Sequence, residues 1–334
     1  MAITLEEIAK LSNVSRATVS RVINGESNVR EETRQRVLDV IESVNFQPNL
    51  AARSLAAGRT NVIGLVIPAG IAAIFSDPWF PQVVNGISMA CNSKGYSVML
   101  WLAEPEYERQ MITRILHSGL LDGVIVSSMS INDPIIKALH LSKMPFVLIG
   151  RHPTLDIVHV DVDNYTGGYD ATKHLISLGN KKIATISGPQ NLIAGYDRFQ
   201  GYKQALEDNG LSVDSELVIE GDFSEVSGYE GGLELIKHHP DAIFVSNDTM
   251  ALGTLRAMRE MKINVPDDIA IVGFDDIPNA ISSPIPLTTV RQPSQKMGRA
   301  AVNALLDLIN NKSNHQNKIF STELIIRESC GATK

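Results

Sequence analysis

Arg16 and Arg21 form the pair with the most pointed chemistry in this chain. They lie in Arg16-Ala17-Thr18-Val19-Ser20-Arg21-Val22-Ile23-Asn24. At helical spacing, Val19, Val22 and Ile23 share one face, while Arg16, Ala17, Ser20, Arg21 and Asn24 share another. A guanidinium is a planar fork of donors, and guanine offers matching acceptors in the major groove. A bidentate pair of that kind discriminates by about 1–3 kcal/mol. Arg16 and Arg21 are therefore expected to read bases. Ser15, Thr18, Ser20 and Asn24 suit phosphate positioning or secondary base contacts, and Ala17 can meet a thymine methyl. Thr4 and Asn28 complete the expected DNA-facing set.

Such a face needs a scaffold, and residues 1–46 read as helices only. Thr4-x-x-Glu7 is a capping box, in which a hydroxyl and a carboxylate satisfy orphan amides reciprocally. Leu5, Ile8 and Ala9 then form an apolar stripe, broken at Asn13-Val14-Ser15. Ser15 is the expected N-cap of a second helix over 16–23, which Asn24-Gly25 stops. A third helix begins near Glu31-Glu32, acids suited to a first turn, with Val37, Leu38, Ile41 and Val44 as its stripe. In this arrangement the second helix enters the major groove with its N-terminal residues on base edges. Residues 47–61 are different: Pro48-Asn49 precedes the Ala-rich stretch 50–57, and Gly58 ends it. One helix of about two turns is expected there, too short to be stable alone in water.

From Val62 the pattern alternates. Strands are expected at 62–67, 97–102, 123–127, 146–149, 183–187, 241–245 and 269–273. Amphipathic helices are expected near 80–94, 106–117, 165–178, 196–209, 228–238, 249–261 and 295–310. Alternation of this kind predicts parallel sheets covered on both faces, in two doubly wound lobes. The expected division is a helix-turn-helix headpiece at 1–46, a hinge at 47–61 and an α/β core at 62–334. Lobe 1 would hold about 62–161 and 288–320, and lobe 2 about 162–287 and 321–334. Late crossings would fall near Pro286–Val290 and Phe320.

Composition excludes several classes. The chain has 334 residues, 44% hydrophobic and 20% charged, so it can bury a sizeable core and is not disordered. Net charge is −7 overall, but residues 1–60 hold eight Lys/Arg against seven acids and the remainder is acidic. Two cysteines, Cys91 and Cys330, form neither a disulfide framework nor a metal-ligand spacing, and no metal or cofactor is expected. The N-terminus has no basic start or apolar stretch, and the run 62–75 is interrupted by Pro68, so neither a signal peptide nor a membrane span is expected. A cytoplasmic protein is the expectation. No phosphate-binding glycine motif, P-loop or nucleophile elbow occurs, and the eight histidines are scattered, so no catalytic residues and no enzyme are expected.

The string from Ile3 to Asn24 closely resembles the headpiece of the LacI/GalR family of bacterial regulators. Asn13 stands where the family often has glycine, a residue tolerant of left-handed geometry. Asn45-Phe46-Gln47-Pro48-Asn49 and Ala51-Ala52-Arg53-Ser54-Leu55 match the family's hinge. The resemblance implies a hinge helix that orders on operator DNA, with Asn49, Ala52, Arg53 and Leu55 on the minor groove and Leu55 as a wedge, unless Leu55 packs on the core.

The resemblance extends over the core and implies two lobes, three crossovers and a ligand between them, at the carboxyl ends of the strands. It assigns Phe75, Trp79 and Phe80 to a first aromatic segment, Asp163 to the opening of lobe 2, Arg198 to an Arg-x-x-Gly-aromatic motif, and Asn247 and Asp275 to the Asn-Asp and Gly-aromatic-Asp motifs. Phe223 falls at a strand end. Arg151 either meets the ligand or pairs with an acid across the lobes, Asn247 either meets it or caps the helix that follows, and Trp79 and Phe223 either cover a sugar face or simply pack. The function the resemblance implies is a homodimeric regulator of transcription, a repressor by family habit, on pseudo-palindromic DNA with a sugar as effector. A purine or other metabolite and, further off, a transport-type sugar binder are the alternatives. Effector identity, the direction of the response and dimer against tetramer stay open.

Overall fold

The computed structural model describes residues 3–46, 58–68, 71–101, 111, 114, 116, 118–127, 130–131, 133–312 and 316–332. The chain divides into two compact units, Met1–Thr60 and Asn61–Lys334. The expected hinge residues Asn49, Ala52, Arg53 and Leu55, and most of the helix expected near 106–117, lie outside the described residues.

The first unit contains α1 (Leu5–Leu11), α2 (Arg16–Ile23) and α3 (Glu31–Ser43). The capping box forms as expected, with Thr4 N donating to Glu7 Oε2 at 2.8 Å and Glu7 N to Thr4 Oγ1 at 3.3 Å. Ile8, Val19 and Val37 are completely buried and tie the three helices together, with Ala9 and Val22 beside them. Leu38 departs from the expected stripe and is exposed, because it sits about 100° around the helix from Val37, while Ile41 and Val44 continue the buried line. Asn13 takes the left-handed conformation at φ 52° between α1 and α2, as its short side chain permits.

The second unit carries twelve described strands: β1 (Val62–Val66), β2 (Ser97–Trp101), β3 (Gly123–Ser127), β4 (Phe146–Ile149), β5 (His159–Val162), β6 (Ile183–Ser187), β7 (Val218–Glu220), β8 (Ala242–Val245), β9 (Ala270–Asp275), β10 (Thr288–Arg291), β11 (Lys318–Phe320) and β12 (Glu323–Ile325). Between them run α4 (Ile71–Ser76), α5 (Trp79–Asn92), α6 (Pro134–Ser142), α7 (Asn164–Ser177), α8 (Ile193–Asp208), α9 (Glu225–Ile236), α10 (Asp248–Glu260), α11 (Pro278–Ser282) and α12 (Ser294–Ile309). They build two six-stranded sheets, ordered β11-β5-β4-β3-β1-β2 and β12-β10-β9-β8-β6-β7. Every pairing is parallel except β10 with β12. The central strands β3 and β8 are buried along their whole length, as parallel strands covered on both faces must be.

The chain passes three times between the sheets. The first crossing falls about where expected: Val162 pairs with Phe320 in the first sheet, so it begins at Asp163. The second boundary differs. Thr288–Arg291 pairs in parallel with β9, so β10 belongs to the second lobe and the return crossing is at Gln292-Pro293. Buried Thr288, Thr289 and Val290 make this segment a strand of the second sheet, and Pro293, which lacks the N–H a ladder needs, ends it. The third crossing is at Ser321-Thr322, between β11 and β12. The crossings adjoin one another: Asp163 N donates to Phe320 O at 2.8 Å, and Arg291 pairs with Glu323.

One close approach positions the site described next. α7 lies on α8 through facing glycines: a Cβ on Gly168 would sit 2.3 Å from Arg198 O, and one on Gly201 would sit 2.2 Å from Tyr165 O. Only glycine lets these backbones meet, and Arg198 rides on that contact.

Candidate DNA-reading face and ligand cleft

In the first unit, α2 splits as its sequence predicts. Val19 and Val22 are buried, while Arg16, Ala17, Arg21 and Asn24 are exposed, as is Asn28 beyond the helix. Ser15 caps the helix, accepting from Thr18 N at 3.1 Å, and its hydroxyl meets that of Thr18 at 2.9 Å. No acid stands in the first turn of α2, so its outward amides and positive dipole end suit a phosphate. Arg16 Nε lies 3.1 Å from Glu6 Oε1, and Arg21 Nε lies 3.9 Å from Glu26 Oε2. Exposed pairs of this kind are worth about 0–1 kcal/mol, so they hold both forks on the surface without locking them there. Thr4 is occupied by the capping box, and its bonds hold the Glu7 carboxyl below its usual range.

In the second unit, the carboxyl ends of the two sheets bring a polar cluster together around Arg198. Its side chain is buried against Phe274, whose ring centre lies 3.7 Å from the guanidinium carbon. Nε donates to Asn164 Oδ1 at 2.8 Å, and Nη1 donates to Ser246 O at 2.6 Å and lies 3.4 Å from Asp275 Oδ1. Nη2 makes no hydrogen bond among the described residues. Burial lowers the Arg198 pKa, opposed by Asp275, Asp161, Asp77 and Asp248, in that order. Asp275 stands at φ 117°, an unusual conformation for a residue with a side chain, and accepts from Gln292 Nε2 at 2.5 Å. Burial pushes its carboxyl up to about 7, with Arg198 pulling the other way.

Asn247 caps α10, accepting from Met250 N at 2.9 Å, and its amide donates to Phe223 O at 3.1 Å. It thereby fixes Phe223, a half-buried residue at φ 71° whose ring centre is 5.9 Å from Arg198. Its neighbour Asp248 is fully buried and binds Thr289 Oγ1 at 2.6 Å and Ile277 N at 3.0 Å. Desolvation raises the Asp248 pKa strongly.

Arg151 spans the lobes. Its Nη1 is 2.8 Å from Asp161 Oδ2 in the first lobe, and its Nη2 is 2.5 Å from Asp197 Oδ2 on α8. This is the cross-lobe ion pair that its position allowed. Trp79 packs against the cores of both lobes and meets Phe80 edge-on at 5.1 Å.

Three residues expected at the ligand take other places among the described contacts. Phe80 is a core residue, 5% exposed, because it points from the first turn of α5 into lobe 1. Phe75, in the last turn of α4, has 74% of its surface exposed, and no described contact joins it to the cluster. Asp163 caps α7, accepting from Thr166 N at 2.9 Å. The structure adds residues that the sequence reading passed over. Asn164 clamps Arg198, Gln292 clamps Asp275, and Asp77 accepts from Trp79 N at 2.9 Å and from Thr249 Oγ1 in the other lobe at 3.4 Å. Asp77 lies between Phe75 and Trp79 in the first aromatic segment, and that position is its one signal in the sequence.

Comparison with known proteins gives two family matches. Residues 4–49 match "Bacterial regulatory proteins, lacI family", and residues 172–330 match "Periplasmic binding protein-like domain". The HTH-type transcriptional regulator CelR of Thermobifida fusca is 37% identical, covering 98% of each chain. The HTH-type transcriptional repressor PurR of Photobacterium profundum is 32% identical, again over 98% of each. Among solved structures, a CelR–cellobiose complex superposes with TM-score 0.78 at 35% identity, covering 98% of this chain and 99% of that one. The lac repressor dimer bound to operator and the anti-inducer ONPF superposes with TM-score 0.89 at 27% identity over 99% of both.

Proposed function

Because this chain belongs to the lacI family of bacterial regulatory proteins and is an HTH-type transcriptional regulator, we propose that it is a cytoplasmic homodimeric repressor whose operator grip is set by a saccharide between its core lobes. Arg16 and Arg21 read bases, and Ser15, Thr18, Ser20 and Asn24 set the register on phosphates. One recognition helix reads one half-site, so two copies on a pseudo-palindrome follow from geometry. We assign the chain no catalytic activity.

The observation that carries the effector reading is the Arg198–Asp275 cluster at the facing strand ends, with Phe223 beside it. Carboxylate, amide and guanidinium groups fixed in place bind hydroxyls, and an aromatic ring covers an apolar sugar face. The cellobiose complex of the CelR relative supports the same reading. A purine is the second reading, favoured by the PurR relative.

The test is a gel shift on the palindrome at the protein's own promoter, with and without cellobiose. Wild-type binding should fall steeply with salt and change on adding the sugar. Arg16→Ala combined with Arg21→Ala should abolish sequence preference. Unchanged preference would sink the recognition-helix assignment, and a response to guanine or hypoxanthine instead of any sugar would replace the saccharide by the purine.

A further inference from the structure

Asp77 is a carboxylate of the first lobe that reaches Thr249 in the second, whereas Asp161, also of the first lobe, is held by Arg151. Asp77 Oδ1 accepts from the backbone of Trp79 and lies 3.4 Å from Thr249 Oγ1 on α10. Burial raises its pKa, and Arg198 acts on it across the gap. Arg198 feels four carboxylates, those of Asp275, Asp161, Asp77 and Asp248. The second guanidinium, that of Arg151, is committed to Asp161 and Asp197. Carboxylates therefore outnumber guanidiniums here, and both guanidiniums already have anionic partners. Trp79, whose backbone N–H bonds Asp77, carries a buried Nε1 donor with no acceptor among the described residues, and Ser246 Oγ is likewise buried and unpartnered. An entering anion would have to desolvate and would find both guanidiniums already engaged by carboxylates. A neutral group with hydroxyls meets the opposite: donors for the carboxylates and acceptors for the indole N–H.

Resting on the effector reading above, we infer that the space between the lobes admits a neutral, hydrogen-bond-donating ligand, rejects phosphorylated and carboxylated ones, and that Asp77 enforces the choice. Carboxylates accept two or more short bonds from hydroxyls and repel phosphate, so one residue supplies both halves of the selectivity.

The experiment is titration calorimetry with thermal shift on the full chain at neutral pH. The probes are glucose, cellobiose and maltose, glucose 6-phosphate, glucuronate, inorganic phosphate and hypoxanthine. A neutral probe should bind, and phosphorylated or carboxylated counterparts should bind at least 100-fold more weakly. Asp77→Asn should weaken the neutral ligand about tenfold or more and narrow the gap to its anionic counterpart. The comparison of neutral and anionic probes on wild type needs no variant, so the inference stays testable if Asp77→Asn misfolds. An anionic sugar that binds as tightly as its neutral parent overturns it. So does a Kd for Asp77→Asn within twofold of wild type, and so does silence across the whole panel. Hypoxanthine binding in place of every sugar would instead overturn the saccharide reading while supporting this one, so the two failures are distinguishable.

Discussion

Arg151 Nη2 and Asp197 Oδ2 stand 2.5 Å apart across the two lobes, and Arg151 Nη1 reaches Asp161 Oδ2 at 2.8 Å within its own lobe. One planar fork thus bridges two carboxylates on different bodies. Asp161 and Asp197 are almost fully buried, and desolvation raises the pKa of each. Removing the cation leaves both buried carboxylates without a counter-charge, Asp161 keeping only its bonds from Val162 N and Asn164 Nδ2. Arg151→Ala should destabilise the core by about 3 kcal/mol, the low end for buried pairs, because Arg151 itself keeps some solvent. Arg151→Lys should recover less than half of that, since one ammonium cannot span both acids. Urea melts of the three proteins decide it, and equal stabilities would refute the bridge.

The surface acids beside Arg16 and Arg21 give a second expectation. Glu6 pairs with Arg16 in the DNA-free headpiece. Glu6→Gln removes the competitor and a negative charge near the phosphate path. Operator affinity should rise about two- to fivefold at low salt, consistent with a pair worth under about 1 kcal/mol, and the gain should fade above about 0.3 M salt. Fluorescence anisotropy across a salt series reads both effects.

Asp275 carries a pH signature. Its carboxyl is pushed from an ordinary value of 3.8 up to about 7, with burial as the main cause. Between those values the folded core holds a proton that the unfolded chain has released, so this group's contribution to stability is lost as pH rises towards about 7. Asp275→Asn has no such dependence. Its melting temperature relative to wild type should therefore climb between pH 5 and pH 8. Parallel curves would show that Asp275 stays ionised.

The glycine contact between α7 and α8 should link packing to ligand affinity. Gly168→Ala places a Cβ 2.3 Å from Arg198 O, backbone that cannot yield without moving α8. Overpacking of this kind costs about 1–3 kcal/mol. The displaced helix carries Arg198 away from Asn164 and Asp275, so a sugar's Kd should rise along with the loss of stability. Loss of stability with an unchanged Kd would separate the two.

Most of the scaffold was legible because long elements advertise themselves. The apolar period of α5, α7, α10 and α12 and the buried runs of β3 and β8 survive any local context. The nine-residue α6 and the four-residue β5 were passed over, and the other missed strands are shorter still or sit at a crossing. β7, β11 and β12 have three residues each, too few for a period, and β10 looked like a crossing because Pro286 precedes it. In the site, Arg198, Asp275 and Phe223 followed from motif and strand end. Asn164 did not, because its bond to Arg198 spans 34 positions and depends on α7 lying against α8. Asp161 and Asp163 alternate with valines in Val160-Asp161-Val162-Asp163, and only the switch from strand to helix at Asn164 decides which is buried and which becomes a cap. Asp77 takes its meaning from residues of the other lobe.

The three adjoining crossings at Asp163, Gln292-Pro293 and Ser321-Thr322 have a mechanical corollary. Joined side by side at one edge, the lobes resemble a door on three pins: they can swing or twist, but they cannot part. A protease that cuts any single pin leaves two intact, so a nicked core should stay one particle by gel filtration and still bind its ligand.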